Sequence, residues 1–445
     1  MAGEAKSPVT KGWLYHPSYP DHWKRRPLYS LARWINGLAF RDIQFRPSGM
    51  PVIKIAEIKG GISEQTKFTQ QTFDEPVRVR PGDLLFSWSG QPETSIDAFW
   101  WRGLEGWLNQ HVFRVTPADG IDPTFFYYLL RYLKPNFIGI ARNKQTTGLG
   151  HVTKRDLENM EGAYPPRPEQ RAIAHILGAL DDKIELLRKQ NETLEAMARA
   201  LFKDWFVDFG PVRAKLERRE PHLPSEVWDL FPDRLMESEL GEIPEGWEVG
   251  TLGDVAEHPR RGVQPNSIKP DTAYIALEHM PKRCIAINEW GLANGLESNK
   301  FEFRKGEILF GKLRPYFHKI GIAPFDGVCS TDIVVVAPRS ADWLGFVLAH
   351  VSSDNFVEYT NAGSTGTKMP RTSWTYMARY NIAVPPKIVS RSFSQMLRPS
   401  VDRIIAGIHE SRALGALRDS LLLKLISGDL RVKDSALAWL DDALA

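Results

Sequence analysis

Four heptads between Leu177 and Trp205 constrain this chain more than any other stretch. Leu180, Leu187, Leu194 and Leu201 share one heptad position, and Leu177, Ile184, Asn191, Ala198 and Trp205 share the position three residues earlier. Steps of three and four sustained over that length draw one narrow apolar seam along a helix, and such a seam needs a partner helix. Asp181, Asp182, Lys183, Glu185, Arg188 and Lys189 fill the flanking faces. Asn191 is the one amide in the seam, a residue type that fixes register at some expense of stability. A surface helix on a globular core would also be amphipathic, but a whole heptad class of leucine favours the coil.

The partner lies in the same chain. A shift of 220 residues brings Asp182, Ile184, Leu194, Ala196 and Leu201 onto Asp402, Ile404, Leu414, Ala416 and Leu421. Lys183 meets Arg403, and Asn191 meets Ser411, so a polar core position recurs. Gly407 and Gly415 interrupt the second copy, and Leu417, Leu421, Leu422 and Leu425 shift its stripe. Pairing the two copies within one molecule covers both seams, and the expected arrangement is antiparallel around Asn191 and Ser411. A homodimeric coil satisfies the same seam.

Composition sets bounds on the rest. The 445 residues suit two or three domains, and 42% hydrophobic with 25% charged content is ordinary for a globular protein. Two cysteines, Cys284 and Cys329, make no disulfide framework and no zinc site alone. No window approaches 18 uncharged apolar residues, and no signal-peptide core opens the chain, so a cytoplasmic protein without a membrane role is expected. A net charge of +3 leaves any nucleic-acid surface to local patches.

In chain order, a first globule is expected at 1–167, a long helix at 168–207, a linker at 208–245, a second globule at 246–386, a second long helix at 387–430 and a tail at 431–445. Residues 1–20 read as a loose lead-in to the globule that opens at Trp23. Val52 to Ile58, Val77 to Val79, Leu84 to Phe86 and Phe113 to Val115 read as strands, with a turn at Pro81-Gly82-Asp83. Phe125 to Leu133 reads as a helix, Lys144 to Gly150 as a small-residue loop. The second globule repeats this order. Arg304-Lys-Gly-Glu-Ile-Leu-Phe310 matches Arg80-Pro-Gly-Asp-Leu-Leu-Phe86, Ala276-Leu277-Glu278 matches Ile55-Ala56-Glu57, and Trp343 to Val351 matches the Phe125 helix. Gly363 to Lys368 matches Thr147 to His151, and Val384-Pro385-Pro386 matches Tyr164-Pro165-Pro166. The fold class expected is mixed α/β (α+β): two similar globules separated by two long helices, a tandem duplication with a pseudo-twofold internal repeat.

Three segments carry a resemblance to a known family: Tyr164-Pro-Pro-Arg-Pro-Glu-Gln-Arg171 with Ala172, Ile173 and Ala174; Trp205-Phe-Val-Asp-Phe-Gly-Pro-Val212; and Ser238 to Trp247. The chain resembles the specificity subunit of Type I restriction-modification systems. The resemblance spans nearly the whole chain and is concentrated in the helices and linker. It implies two target-recognition domains, each reading half of an interrupted site in double-stranded DNA. It implies helices that act as a ruler and as the docking surface for two modification (methyltransferase) subunits. Those subunits would carry S-adenosylmethionine and methylate adenine; restriction (endonuclease/translocase) subunits, with ATP and Mg, would cut DNA. The chain itself would bind no cofactor or metal and would not be an enzyme. One departure stands out: the second helix lacks the Pro-Glu-Gln opening and has Pro386-Lys-Ile-Val-Ser-Arg391 instead.

Other chemistry finds little support in the residues. Amine methylation in that enzyme class uses a polar residue before Pro-Pro-aromatic, whereas here Tyr164 and Val384 precede the Pro-Pro pairs, which read as rigid strand exits. Gly363 to Lys368 lacks phosphate-loop spacing. A metal-dependent nuclease is the runner-up: Asp271 and Glu278 come closest to its two carboxylates, but Met280 stands where lysine belongs. His111, His151 and His279 have no partner at metal-ligand spacing. Asp208-Phe209-Gly210 copies a kinase metal motif without the catalytic loop. A stand-alone DNA-binding protein, or a coiled-coil scaffold that binds only protein, is a further alternative.

Reading DNA takes long donors and amides on loops, with cations for phosphates. In the first globule the candidates are Arg142, Asn143, Lys144, Gln145, Thr146, Thr147, His151, Lys154 and Arg155. In the second they are Arg260, Arg261 and Gln264; Lys312, Arg314, Tyr316, His318 and Lys319; and Ser364, Thr365, Thr367, Lys368 and Arg371. Glycines 148, 150, 363 and 366 would let backbone approach phosphate. The coiled-coil set is Leu177, Leu180, Ile184, Leu187, Asn191, Leu194 and Leu201 with Ile404, Ser411, Leu414 and Leu421.

Overall fold

The computed structural model describes residues 19–40, 43–145, 148–366 and 368–432. The chain divides into two compact units: residues 1–182 with 416–445, and residues 183–415. Two long helices, α1 (Arg167–Phe202) and α2 (Lys387–Ser427), each contribute to both units.

The first unit is built on an antiparallel sheet in the order Ala32–Asn36, Val112–Pro117, Leu84–Ser87, Asp97–Trp100. Leu84–Ser87 is buried on both faces, which explains its unbroken apolar run. A second sheet orders Phe68–Thr69, Met50–Ile53, Gly106–Leu108 and Arg78–Val79, with one parallel pairing. Asp122 caps the helix Pro123–Tyr132 by accepting from the Thr124 and Phe125 amides.

The second unit repeats the main sheet strand for strand: Ala256–Glu257, Ile333–Pro338, Ile308–Gly311, Ile320–Ile322. It also has a five-stranded sheet, again with one parallel pairing. Each unit has an entry strand paired antiparallel with its last strand: Lys24–Pro27 with Glu161–Tyr164, and Glu248–Thr251 with Asn381–Val384. The Pro-Pro pair follows that last strand both times. Proline has no N–H to extend a ladder, so the sheet ends there and the long helix begins.

The long helices pair antiparallel within each unit. In the first, Arg418 reaches Asp181 at 2.6 Å, and Leu177 shares a core with Leu422 and Leu425. In the second, Lys183 pairs with Glu410 at 3.3 Å and Arg403 donates to Gln190 at 2.9 Å. Asn191 is buried but faces Gly407 rather than Ser411; a Cβ at 407 would lie 3.0 Å from Asn191 Oδ1. The glycine that interrupts the apolar pattern is what makes room for the amide.

Two further expectations need correction. Residues 208–245 are not a loose linker. They form the helices Gly210–Leu216 and Ser225–Trp228 and the hairpin Leu235–Ser238 with Gly241–Pro244. Their Phe209, Val212, Phe231 and Ile243 are buried in one core with Trp205, Phe206, Trp247 and Phe393. Val52 to Ile58 is not one strand: Met50–Ile53 is a strand and Ile55–Gly60 a helix, whose Glu57 carboxylate accepts from the Lys54 amide. Lys134–Asn143 is a second helix that periodicity did not mark, and it is matched in the second unit by Asp354–Ala362.

The Pro-Glu-Gln opening of α1 is a clamp. Gln170 is buried; its Oε1 accepts from the Asp122 amide at 2.8 Å, and its Nε2 donates to Pro165 O and Gly120 O. The departure in α2 keeps the function with a shorter residue, since Ser390 Oγ donates to Asp342 O at 2.8 Å.

His350 lies among Phe202, Phe346 and Tyr380, and burial pushes its pKa down to about 3. The unfolded side chain titrates near 6.5, so its contribution is fully present above about 6.5 and is lost as pH falls toward 3. Thermal melts of the wild type are expected to lose a few kcal/mol of stability between about pH 6.5 and 4. His350→Phe is expected to flatten that loss; an unaltered acid limb would show that His350 does not set it.

Candidate nucleic-acid interface

In each unit two loops meet at the same end of the main sheet. In the second unit, Arg371 bridges both Leu313 and Thr365. The Arg314 amide donates to Pro370 O at 2.7 Å, and the Thr372 amide donates to Lys312 O at 3.0 Å. The loops that carry Lys312, Arg314 and Tyr316 and that carry Thr365, Lys368 and Arg371, far apart in sequence, therefore adjoin. In the first unit, Gly150–His151 pairs with Ser89–Gly90, and the Val152 amide donates to Trp88 O at 2.8 Å. Both second loops then run into a capped helical turn. Thr153 caps Lys154–Asn159 and Ser373 caps Trp374–Met377.

The candidates divide by what they touch. Arg155, Gln145, Asn143, Gln264 and Lys368 are exposed. Tyr316 is exposed and its ring packs on Phe317 at 4.7 Å. Arg260 is exposed and holds a left-handed backbone, φ 47°. Lys154 is exposed over the Tyr29 ring, with Glu158 at 3.6 Å. Arg142 is exposed and pairs with Glu93; Arg371 lies 3.5 Å from Asp332. His151 is half-buried in its short strand, and Ser364 donates to Asn361 O. Thr365 is exposed. Thr146, Thr147 and Thr367 lie outside the described residues.

Other candidates are committed to the fold. Lys144 Nζ lies 2.6 Å from both oxygens of Asp156, within the Thr153 capping box. Burial raises the Asp156 carboxyl, but the Lys144 and Thr153 bonds outweigh it and hold the pKa below the usual range. Arg261 forms a two-point pair with Glu307. His318 is buried; its Nε2 lies 3.0 Å from Ser352 O, and burial lowers its pKa. Lys319 donates to Leu277 O, and burial lowers its pKa too. Arg314 donates to Lys368 O at 3.4 Å and lies over Phe317, while Lys312 is half-buried with its backbone tied to Thr372 and Asp332.

Two glycines also have structural duties. A Cβ on Gly150 would lie 2.4 Å from Ala141 O, and one on Gly363 would meet the Tyr376 ring at 1.9 Å. They seat the loops against protein rather than against phosphate. Gly148 and Gly366 have φ of 84° and 96°, so a left-handed turn accounts for them.

Sequence reasoning missed the partner loop of the first unit. Trp88 Nε1 donates to Asn36 Oδ1 at 3.0 Å, and its ring lies 5.7 Å from His111. Gln110 Nε2 and His111 Nε2 stand 3.1 Å apart, and the His111 amide donates to Asn109 Oδ1. With exposed Gln91 and Thr94, this end of the sheet carries amides and an imidazole of the kinds that read base edges. The signal was available: the Arg80/Arg304 match carries 312–319 back onto 88–95.

The runner-up nuclease site does not assemble. Asp271 and Glu278 lie on turns at opposite ends of the one strand Ala273–Ile275, not on adjacent strands, and Met280 is buried in the core. Burial pushes the Cys284 and Cys329 thiols up to about 12, which makes both poor nucleophiles.

Residues 20–196 match the family model of the Type I restriction modification DNA specificity domain. Over those residues the chain carries that family's domain. The MjaIX specificity subunit of Methanocaldococcus jannaschii is 27% identical over 73% of both chains. The EcoDI specificity subunit of Escherichia coli is 24% identical over 70% of both, and the HindI specificity subunit of Haemophilus influenzae 24% identical over 79% of this chain and 87% of its own. Among solved structures, the S subunit of a Type-I restriction-modification system from M. genitalium covers 91% of this chain and 96% of its own at 16% identity, with a TM-score of 0.47. No helix among the described residues is long and apolar enough to cross a membrane.

Proposed function

We propose that this chain is the specificity subunit of a Type I restriction-modification complex and gives it its DNA sequence, each unit reading one half of a bipartite site. The supporting observation is the recurrence of one loop pair, 88–95 with 150–153 and 312–319 with 365–372, at the same end of the same sheet in both units. Exposed cations there, such as Arg155 and Lys368, would serve phosphates, and Gln91, Gln110, Gln264 and Tyr316 would supply base-edge contacts. Two modification subunits, carrying S-adenosylmethionine, dock on the long helices. Restriction subunits with ATP and Mg join them on DNA in the cytoplasm. The chain performs neither methyl transfer nor cleavage itself.

Incubation of the purified chain with S-adenosylmethionine and duplex DNA is expected to transfer no methyl group. Addition of the modification subunit is expected to methylate adenines within one interrupted motif. Methylation by the isolated chain would contradict the proposal, as would methylation that ignores sequence when both are present.

A further inference from the structure

Leu149 and Met369 occupy equivalent places in the two units. The backbone pairings that tie Val152 to Trp88 and Thr372 to Lys312 align the two loops, and each of these side chains lies three residues before the paired amide. Leu149 is 59% exposed and Met369 is 50% exposed, and neither belongs to a core cluster. Single exposed apolar residues are ordinary on protein surfaces. A large flexible apolar side chain at the same loop position in two divergent copies is less so, because packing requires it in neither.

The surroundings narrow what such a side chain would meet. Lys368 is adjacent to Met369, and Arg371 follows two residues on; Lys154 and Arg155 follow Leu149. Cations flanking an apolar tip suit an anionic polymer with apolar surface inside it, which is a nucleic-acid groove. The loops are anchored at their bases, where Gly150 fits against Ala141 and Gly363 against Tyr376 with no room for a Cβ. That anchoring positions the tips.

We propose that Leu149 and Met369 make the apolar base contact of their units, against a thymine methyl or within a base step of the half-site each unit reads. The inference rests on the DNA-specificity reading and adds to it a class of contact that carries sequence information without charge. Both candidate contacts remove apolar surface from water, so truncation weakens the specific complex and leaves the phosphate contacts intact.

The test uses the full chain with its modification subunit and two probes: a duplex selected by that complex from a random library, and an unselected duplex. Leu149→Ala and Met369→Ala are each expected to weaken binding to the selected duplex roughly tenfold. Affinity for the unselected duplex and the slope of affinity against salt are expected to be unchanged. The two variants are expected to relax base preference in opposite half-sites. With 2-aminopurine at the affected step, fluorescence that rises with wild type and not with the variant identifies a wedge; unchanged fluorescence identifies a methyl contact. Selected-duplex affinity that survives both substitutions would overturn the inference alone, as would an equal loss on both duplexes. A wild-type complex that selects no sequence would overturn the specificity reading and the inference with it.

Discussion

Replacing Lys154, Arg155, Lys368 and Arg371 together with glutamine is expected to weaken DNA binding about a hundredfold at moderate salt. Each phosphate neutralised by a cation releases condensed counterions, and log affinity falls with log salt by about 0.9 for each such contact. Loss of all four contacts would make that slope shallower by about 3.6. These four are exposed and only loosely paired, Lys154 with Glu158 and Arg371 with Asp332, so their ammonium and guanidinium groups are available to phosphate. Lys144 belongs to a different class although it lies in the same loop. Asp156 holds it, so Lys144→Gln is expected to lower thermal stability and leave the salt slope alone. Titrations of affinity against salt for both variants check this. An unchanged slope in the fourfold variant would place the DNA elsewhere.

The second large effect concerns a polar network that one unit has and the other lacks. Arg418 lies 2.6 Å from Asp181, whose other oxygen accepts from the Tyr128 hydroxyl at 2.6 Å. The positions 220 residues away are Ala198, Val401 and Leu348, which pack in or against the apolar core of the second unit. The same fold thus solves one packing problem with charge and the other with hydrocarbon. Asp181→Ala removes the acceptor for two donors. Breaking a buried pair this way costs about 3–5 kcal/mol; Arg418 and Asp181 are partly exposed, which reduces the expected loss to about 2 kcal/mol. Replacing all three with apolar residues, Tyr128→Phe with Asp181→Val and Arg418→Leu, leaves no stranded donor and is expected to be less destabilising than Asp181→Ala alone. Denaturant melts of the two variants decide this. A triple variant weaker than the single would mean that the network holds the unit together by more than mutual satisfaction.

The legible part of this fold was what repeats. The leucine seam announced paired helices, and the shift by 220 residues announced duplicated units before any strand was placed. Elements defined by tertiary fit were harder to read. Residues 208–245 look like a linker because charge and proline dominate their composition, yet Phe209, Phe231 and Ile243 at irregular spacing are what bury them. Gly407 reads as an interruption of a seam until Asn191 is seen opposite it. At the candidate interface, residue type identified loops but not the atoms left free. Lys144 and Arg155 look alike in sequence, and only the Asp156 carboxylate separates their roles. The Trp88 loop escaped because it carries few cations, although the repeat pointed to it.

One measurement tests the ruler role of the long helices together with the two-unit reading. Adenine methylation is sequenced across the genome of cells carrying the modification subunit with either the original chain or a chain lengthened by one matched heptad in each of α1 and α2. A heptad adds roughly 10 Å at about 1.5 Å per residue and preserves the apolar seam. At about 3.4 Å per base pair, the account predicts the same two half-site sequences with a spacer longer by about three base pairs. An unchanged spacer, or altered half-site bases, would contradict it.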